Sequence, residues 1–254
     1  MIGKTNSELR GKFEKDGFVL LPGFFDAAAM AELTDRVDRF VREVVPGLPG
    51  DQVFFENKDD VTSLKQIQQM GNHDAWFDQL FRGQAIRGLA EFLLAGSVVP
   101  KNMQYFNKPA GVGLATPPHQ DGYYFMLDPC EAITMWLALD EVDEQNGCVR
   151  YVQGSHRSGM RAHSRTQTLG FSQGIVDYPL AADLECEVAM RAQPGDLLVH
   201  DAMTVHRADG NLTLNRSRRA LGFIFYSEKA REDEAAHAAY QQCLTEEMEA
   251  ANRI

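Results

Sequence analysis

His119 and Asp121 stand one residue apart in the run Pro117-Pro118-His119-Gln120-Asp121-Gly122. In an extended strand residues i and i+2 point to the same face, so this imidazole and this carboxylate can grip one ion without distorting the backbone. They are two of the three ligands that a facial triad presents to non-haem Fe(II). The pair alone is weak evidence, because HxD arises often by chance. A third ligand, usually His, has to come from elsewhere in the chain.

Downstream, Pro194-Gly195-Asp196-Leu197-Leu198-Val199-His200 reads as a turn and a buried strand; His206 follows, and then Arg216, Ser217, Arg218 and Arg219. His200 and His206 compete for the third ligand position, and strand parity does not separate two even-numbered residues. Spacing to the arginine cluster favours His206, which leaves His200 a supporting or packing role. The arginines matter because 2-oxoglutarate, a co-substrate for iron sites of this kind, is a dianion whose far carboxylate needs a fixed cation. A planar guanidinium pairs with it through two parallel hydrogen bonds. Elsewhere His73, His163 and His237 have no partners in sequence and read as ordinary surface residues.

The elements that must position these residues change in texture along the chain. Residues 17–23 read as a short buried strand closed by Pro22-Gly23. Asp26 can cap a helix running to about Glu43, with Met30, Leu33, Val37, Phe40, Val41 and Val44 at helical spacing. Residues 46–62 read as a loop, and 62–95 as a second helical region broken near Gly71-Asn72. From about residue 98, short runs rich in β-branched and aromatic residues alternate with turn residues, as in a barrel or sandwich. The tail is rich in Ala and Glu and returns to helix. This organisation predicts one domain over 1–254, with a helical N-terminal part (about 1–97), a β-barrel core (about 98–227) and a C-terminal helix (about 228–252).

Composition narrows the function classes. A hydrophobic content of 44% suits a sizeable core, and a net charge of -11 argues against a nucleic-acid surface. Cys130, Cys148, Cys186 and Cys243 are far apart without a CxxC pair, and read as reduced thiols. No stretch approaches the roughly 20 apolar residues of a membrane span, and no apolar signal run opens the chain, so the cytoplasm is the expected compartment. Lys108 reads as a solvated lysine or as an attractor of an anionic substrate. Phe54-Phe55-Glu56 and Tyr123-Tyr124-Phe125 read as pocket walls or as packing.

Several runs taken together are specific: GFVLLPGFF at 17–25, Asn107-Lys108-Pro109, Pro118-His119-Gln120-Asp121, Met135-Trp136-Leu137-Ala138-Leu139-Asp140, Asn146-Gly147-Cys148-Val149-Arg150, Gly154-Ser155-His156, Pro194-Gly195-Asp196 and Arg218-Arg219-Ala220-Leu221. Over most of its length the chain resembles the phytanoyl-CoA dioxygenase (PhyH) family of Fe(II)/2-oxoglutarate oxygenases. The resemblance implies a mainly β fold with flanking helices, a double-stranded β-helix or cupin-like jelly-roll barrel, with the metal inside its mouth. Carried over position by position, it implies His119, Asp121 and His206 as the catalytic iron ligands and Arg218 as the partner of the distal carboxylate of 2-oxoglutarate. Gln120 and Trp136 match positions lining that co-substrate. Met103, Gln104 and Tyr105 lie on the strand that adds a further contact, assigned to Gln104.

Two departures bear on the site. Arg207 and Ala208 follow His206 where the family often has a small residue and Ser, so that hydroxyl is missing or supplied by Thr213. A strand slipped by one residue would put Arg219 in place of Arg218 and turn it to the other side of the sheet, whereas Arg218 shares its face with the small Ala220 and Gly222. Related halogenases replace the metal-binding carboxylate by a small residue; Asp121 is present, which favours hydroxylation. The expected activity is hydroxylation of an unactivated C–H bond in a small-molecule metabolite, consuming O2 and 2-oxoglutarate and releasing succinate and CO2. The rival readings are a cupin-type metal oxygenase that does not use 2-oxoglutarate and a non-catalytic binding protein of the same fold.

Overall fold

The computed structural model describes residues 3–250 apart from 167 and 169–171, so positions 251–252 of the expected C-terminal helix lie outside the described residues. Helix α1 (Gly3–Asp16) leads into strand β1 (Phe18–Leu21), and Asp26 caps helix α2 (Ala27–Glu43) by accepting from the Ala29 amide at 2.9 Å. The three- and four-residue spacing of Met30, Leu33, Val37 and Phe40 gives α2 one buried face. Strands β2 (Val53–Phe55) and β3 (Leu64–Ile67) precede the short helices α3 (Met70–His73), α4 (Ala75–Arg82) and α5 (Gln84–Leu93).

The long strand β4 (Val98–Lys108) is followed by β5 (Thr116–His119) and the helical turn α6 (Asp121–Phe125). Then come β6 (Leu127–Asp128), β7 (Ala132–Ala138), β8 (Val149–Val152), β9 (His163–Arg165), β10 (Gln173–Ile175) and α7 (Ala181–Cys186). Strands β11 (Glu187–Met190), β12 (Leu197–Asp201), β13 (His206–Ala208), β14 (Arg218–Ser227) and β15 (Arg231–Glu232) lead to helix α8 (Glu234–Ala250).

Seven strands form the larger sheet in the order β1-β12-β7-β14-β4-β3-β2, and four form the smaller, β11-β8-β13-β5. Each pairing within them is antiparallel. One face of the larger sheet packs Met103, Ile133, Met135, Leu137, Leu221 and Phe223 against the N-terminal helices. Its other face meets the smaller sheet through Trp136, Ala138, Leu198 and Ala220 against Val149, Tyr151 and Met190. These facing sheets are the expected double-stranded β-helix, mainly β with flanking helices; they are not hydrogen-bonded into a closed barrel.

The N-terminal third is less helical than its composition implies. Residues 64–67, expected within a helix, form β3, and the expected loop contains β2. Pairing of Gln66 and Ile67 with Phe106 and Tyr105 extends the larger sheet, and that tertiary gain overrides local propensity. All four cysteines are free thiols. Among the described residues no helix is long and apolar enough to cross a membrane.

Candidate active site

His119 is the last residue of β5, and Asp121 opens α6, so the pair does not lie on one strand as expected. Gln120 between them keeps an extended backbone (φ -120°, ψ 126°), and this single residue preserves the same-side geometry. His206 on β13 sits directly across the ladder from His119, with ring centroids 4.1 Å apart. Asp121 Oδ1 lies 3.4 Å from His119 Nε2 and 3.6 Å from His206 Nε2. Bonds of about 2.1 Å to a first-row cation put neighbouring ligand atoms about 3 Å apart, so these separations need only a small contraction.

The protonation pattern fits a metal too. His119 Nδ1 donates to the Pro117 carbonyl at 2.8 Å, and His206 Nδ1 to the Thr204 carbonyl at 2.9 Å. A carbonyl oxygen can only accept, so both rings donate from Nδ1 and turn Nε2 to the centre. Burial, together with the nearby His119 and His200, holds the His206 imidazole well below its usual range and so neutral. Burial also works against the Asp121 carboxylate, but the imidazoles around it and the hydrogen bond from His200 outweigh it and hold its carboxyl well below the ordinary range. Two imidazoles and one carboxylate are the donor set of a 2-His-1-carboxylate site.

His200 is on β12, in the opposite sheet, and does not complete this set. Burial keeps the Tyr151 phenol protonated. The Asp121 carboxylate can only accept, so His200 donates its Nε2–H to Oδ2 at 3.1 Å, and the Tyr151 hydroxyl pairs with His200 Nδ1 at 2.9 Å on the other side of the ring. Thr134 Oγ1 donates to the same oxygen at 2.6 Å. With Oδ2 occupied twice, Oδ1 is the oxygen left for a metal.

The triad opens onto a cavity of about 540 Å³ that also contains Arg218 and Trp136. Along β14, Arg218, Ala220 and Ile224 turn between the sheets, whereas Leu221, Phe223 and Phe225 turn to the helices. Arg219 accordingly points outward and pairs with Asp140 at 2.8 Å and Asp38 at 3.1 Å. Arg218 is only 4% exposed, stacks 5.2 Å over the Trp136 ring, and has a buried Nε with no partner. Burial pushes its guanidinium down to about 10, with Cys148 and Asp140 offsetting only part of the effect. On the same face Gly222 makes room for Phe106, since a Cβ there would lie 2.6 Å from that ring.

Other expected positions are placed differently. Gln104 faces the cavity, while Met103 and Tyr105 lie in the core on the helix side. Gln120 is fully buried and outside the cavity lining: its side-chain amide donates to the Gly159 and Met203 carbonyls and accepts from the Arg161 amide, tying two loops to the metal-site turn. Thr213 spends its hydroxyl on Asn211 and the Arg216 carbonyl within its own turn. Lys108 is buried, not a solvated lysine, and donates to the Leu114 carbonyl and Thr116 Oγ1. Phe54, Glu56, Tyr124 and Phe125 line the cavity.

His163 is half-buried rather than a surface residue. Its Nδ1 donates to the Arg161 carbonyl at 2.9 Å, its Nε2 accepts from the Gln120 amide at 3.1 Å, and its ring stacks on Tyr123. Nothing local in the sequence signals this role, nor those of Thr134 and Tyr151, because each arises from contacts between distant segments.

The model of the phytanoyl-CoA dioxygenase (PhyH) family matches residues 13–220. The chain is 26% identical over 254 residues to phytanoyl-CoA dioxygenase domain-containing protein 1 of Rattus norvegicus, covering 84% of this chain and 87% of the relative. It is 29% identical over 226 residues to the 2-aminoethylphosphonate dioxygenase of an uncultured bacterium (HF130_AEPn_1), covering 87% and 80%. The solved structure of EvdO2 from Micromonospora carbonacea var. aurantiaca, complexed with 2-oxoglutarate, superposes with a TM-score of 0.71 at 26% identity over 92% of this chain and 95% of that one. The matched span takes in the smaller sheet, the larger one as far as the start of β14, the His-Asp-His triad and Arg218, and the chain belongs to the phytanoyl-CoA dioxygenase family.

Proposed function

We propose that the chain is a single oxygenase domain, 1–254, that hydroxylates an unactivated C–H bond of a small-molecule metabolite with Fe(II), 2-oxoglutarate and O2, releasing succinate and CO2. One observation carries this reading. A set of two imidazoles and an ionised carboxylate opens onto the same cavity as a buried guanidinium that makes no ion pair among the described residues. A buried cation without a counter-ion is costly, and a dianionic co-substrate removes the cost while being held in place.

In this reading His119, Asp121 and His206 hold the iron, and Tyr151, His200 and Thr134 fix the Asp121 carboxylate so that one oxygen is presented. Arg218 receives the far carboxylate of 2-oxoglutarate in bidentate fashion, kept flat by Trp136, with Gln104 on the adjoining wall. Gln120 acts from behind, holding the turn that carries the two neighbouring ligands. Iron bound at the triad would supply the redox chemistry by which O2 is reduced while 2-oxoglutarate is oxidised to succinate and CO2. The two sheets exclude water around it, and Asp121 occupies the position that a chloride would need, which supports hydroxylation.

The test is an anaerobic titration of the Fe(II)-loaded protein with 2-oxoglutarate, followed by succinate release on admitting O2. Saturable binding that is lost in His119→Ala and Arg218→Met supports the proposal. Protein that binds Fe(II) but neither binds nor consumes 2-oxoglutarate belongs to another class of metal oxygenase. Failure to bind Fe(II) leaves a non-catalytic binding protein.

A further inference from the structure

Beyond the triad the cavity reaches the surface between two walls. One is the edge of the larger sheet, with Gln66 on β3 and Asn102 and Gln104 on β4. The other is α8, whose His237, Tyr240, Gln241, Leu244 and Thr245 recur at the three- and four-residue spacing of one helical face. Tyr240 pins that face down: its hydroxyl pairs with Ser172, and its ring lies 6.5 Å from the Tyr124 ring with the Arg165 guanidinium 5.5 Å away.

The charges on these walls are already matched. Lys65 pairs with Glu56 at 3.3 Å, both nearly buried. Lys101 pairs with Glu232 at 2.9 Å, and His237 approaches the same carboxylate at 2.9 Å. Arg207 is held by Glu187 and Asp209, and Lys108 by Leu114 and Thr116. Asp51 stands exposed at the rim. Apart from Asp51 at that exposed rim, what is left open is uncharged. Gln66 Oε1 is buried without a partner, its Nε2 reaching Gln104 Oε1 only at 3.5 Å. Asn102 commits its Oδ1 to the Gln69 amide, and its Nδ2, the Gln104 Nε2 and the Tyr226 hydroxyl make no hydrogen bond among the described residues. An ionic group here would be desolvated with no counter-charge to meet it, whereas a hydroxyl or amide would satisfy acceptors and donors that now lack partners.

We propose that the substrate is an electrically neutral molecule bearing hydroxyl or amide groups, hydrogen-bonded to Gln66, Asn102 and Gln104, with its far end covered by Tyr240 of α8. This rests on the oxygenase reading above and names the substrate class for the same site. A phosphonate or a coenzyme A thioester finds no unpaired cation on these walls, and a quaternary ammonium group finds only Asp51 at the exposed rim.

The Fe(II)-loaded full chain is supplied with 2-oxoglutarate, O2 and, in turn, neutral glycosides and amides, amines, carboxylates and phosphonates, or acyl-coenzyme A thioesters. Succinate release above the rate without added compound is measured. Stimulation is expected from the neutral panel alone. For the best neutral compound, Gln66→Leu raises KM about tenfold with kcat within about threefold, and Gln66→Glu, of nearly the same shape, does likewise. Stimulation by a charged panel, stimulation by none, or an unchanged KM in both variants overturns the substrate class. Anaerobic binding of 2-oxoglutarate to the Fe(II) protein separates the two failures. Where it is intact, the oxygenase reading stands and only the substrate class falls; where it is absent, both fall.

Discussion

Arg218→Met is the sharpest perturbation because it moves two measurable quantities in opposite directions. Methionine keeps much of the side-chain volume and removes the charge. Breaking one partner of a buried, hydrogen-bonded ion pair costs about 2–5 kcal/mol, so 2-oxoglutarate affinity should fall roughly 30- to 5000-fold. The apoprotein should gain stability. The Arg218 guanidinium is pushed down to about 10 by burial, a drop that corresponds to roughly 3 kcal/mol of unfavourable solvation. Its contact over Trp136 returns about 1–2 kcal/mol, leaving a net gain of about 1–2 kcal/mol, or roughly 2–8 °C in Tm. The sign with pH follows from the lowered value: the penalty is present below about 10 and is relieved above it, so the gain is constant across the neutral range. In the parent protein, 2-oxoglutarate at a hundred times its Kd should contribute about 2.7 kcal/mol, a Tm rise of roughly 5–11 °C that the variant lacks. Calorimetric titration of the Fe(II) protein under nitrogen, with paired thermal melts, gives both readouts. A variant that binds 2-oxoglutarate within threefold of the parent refutes the assignment of Arg218, whatever its melting temperature.

Three other outcomes follow from the same geometry. Arg219→Met should leave 2-oxoglutarate affinity unchanged while lowering Tm, because that side chain serves Asp140 and Asp38 on the outer face; loss of co-substrate binding in this variant would mean that the strand register is wrong. Thr134→Val and His200→Phe should each weaken Fe(II) binding about 10- to 100-fold without removing a ligand, because Asp121 Oδ2 loses a donor; competition with a metallochromic chelator measures it. For pH, the folded protein holds His206 neutral well below its usual range. The unfolded chain therefore takes up that proton first as pH falls through about 6.5, and the apoprotein loses stability in that window. His206→Gln should flatten the decline in Tm below that pH, and an unchanged slope would count against a buried neutral imidazole.

Much of the site was legible because its decisive relations are local. His119 and Asp121 converge through one extended residue, and the spacing survives although the strand ends at His119 and a helical turn begins at Asp121. Strand alternation likewise puts Arg218 on the face of Ala220 and Gly222 and turns Arg219 away, so the inner arginine follows once β14 begins at Arg218. The Asp26 cap and the apolar stripe of α2 are local in the same sense.

His200 and His206 show where that legibility ends. Their parity is identical, yet β12 belongs to the larger sheet and β13 to the smaller, and only the path of the chain between sheets sends one to Asp121 Oδ2 and the other to the metal face. His163 has the same origin, since it reaches the Gln120 amide across 43 residues of sequence. Lys108 is an ordinary Lys-Pro element until Gly113, Leu114 and Thr116 fold back over it. Gln66 lies in a stretch of helical composition that becomes a strand only because the edge of β4 is there to pair with it. Periodicity records which face a side chain takes, and so the sequence by itself determined the ligand types, the inner arginine and the mainly β class. Which segments face one another across the two sheets is a matter of long-range pairing and burial, and only the tertiary structure decided the third ligand's position, the support of Asp121 and the uncharged character of the outer cavity.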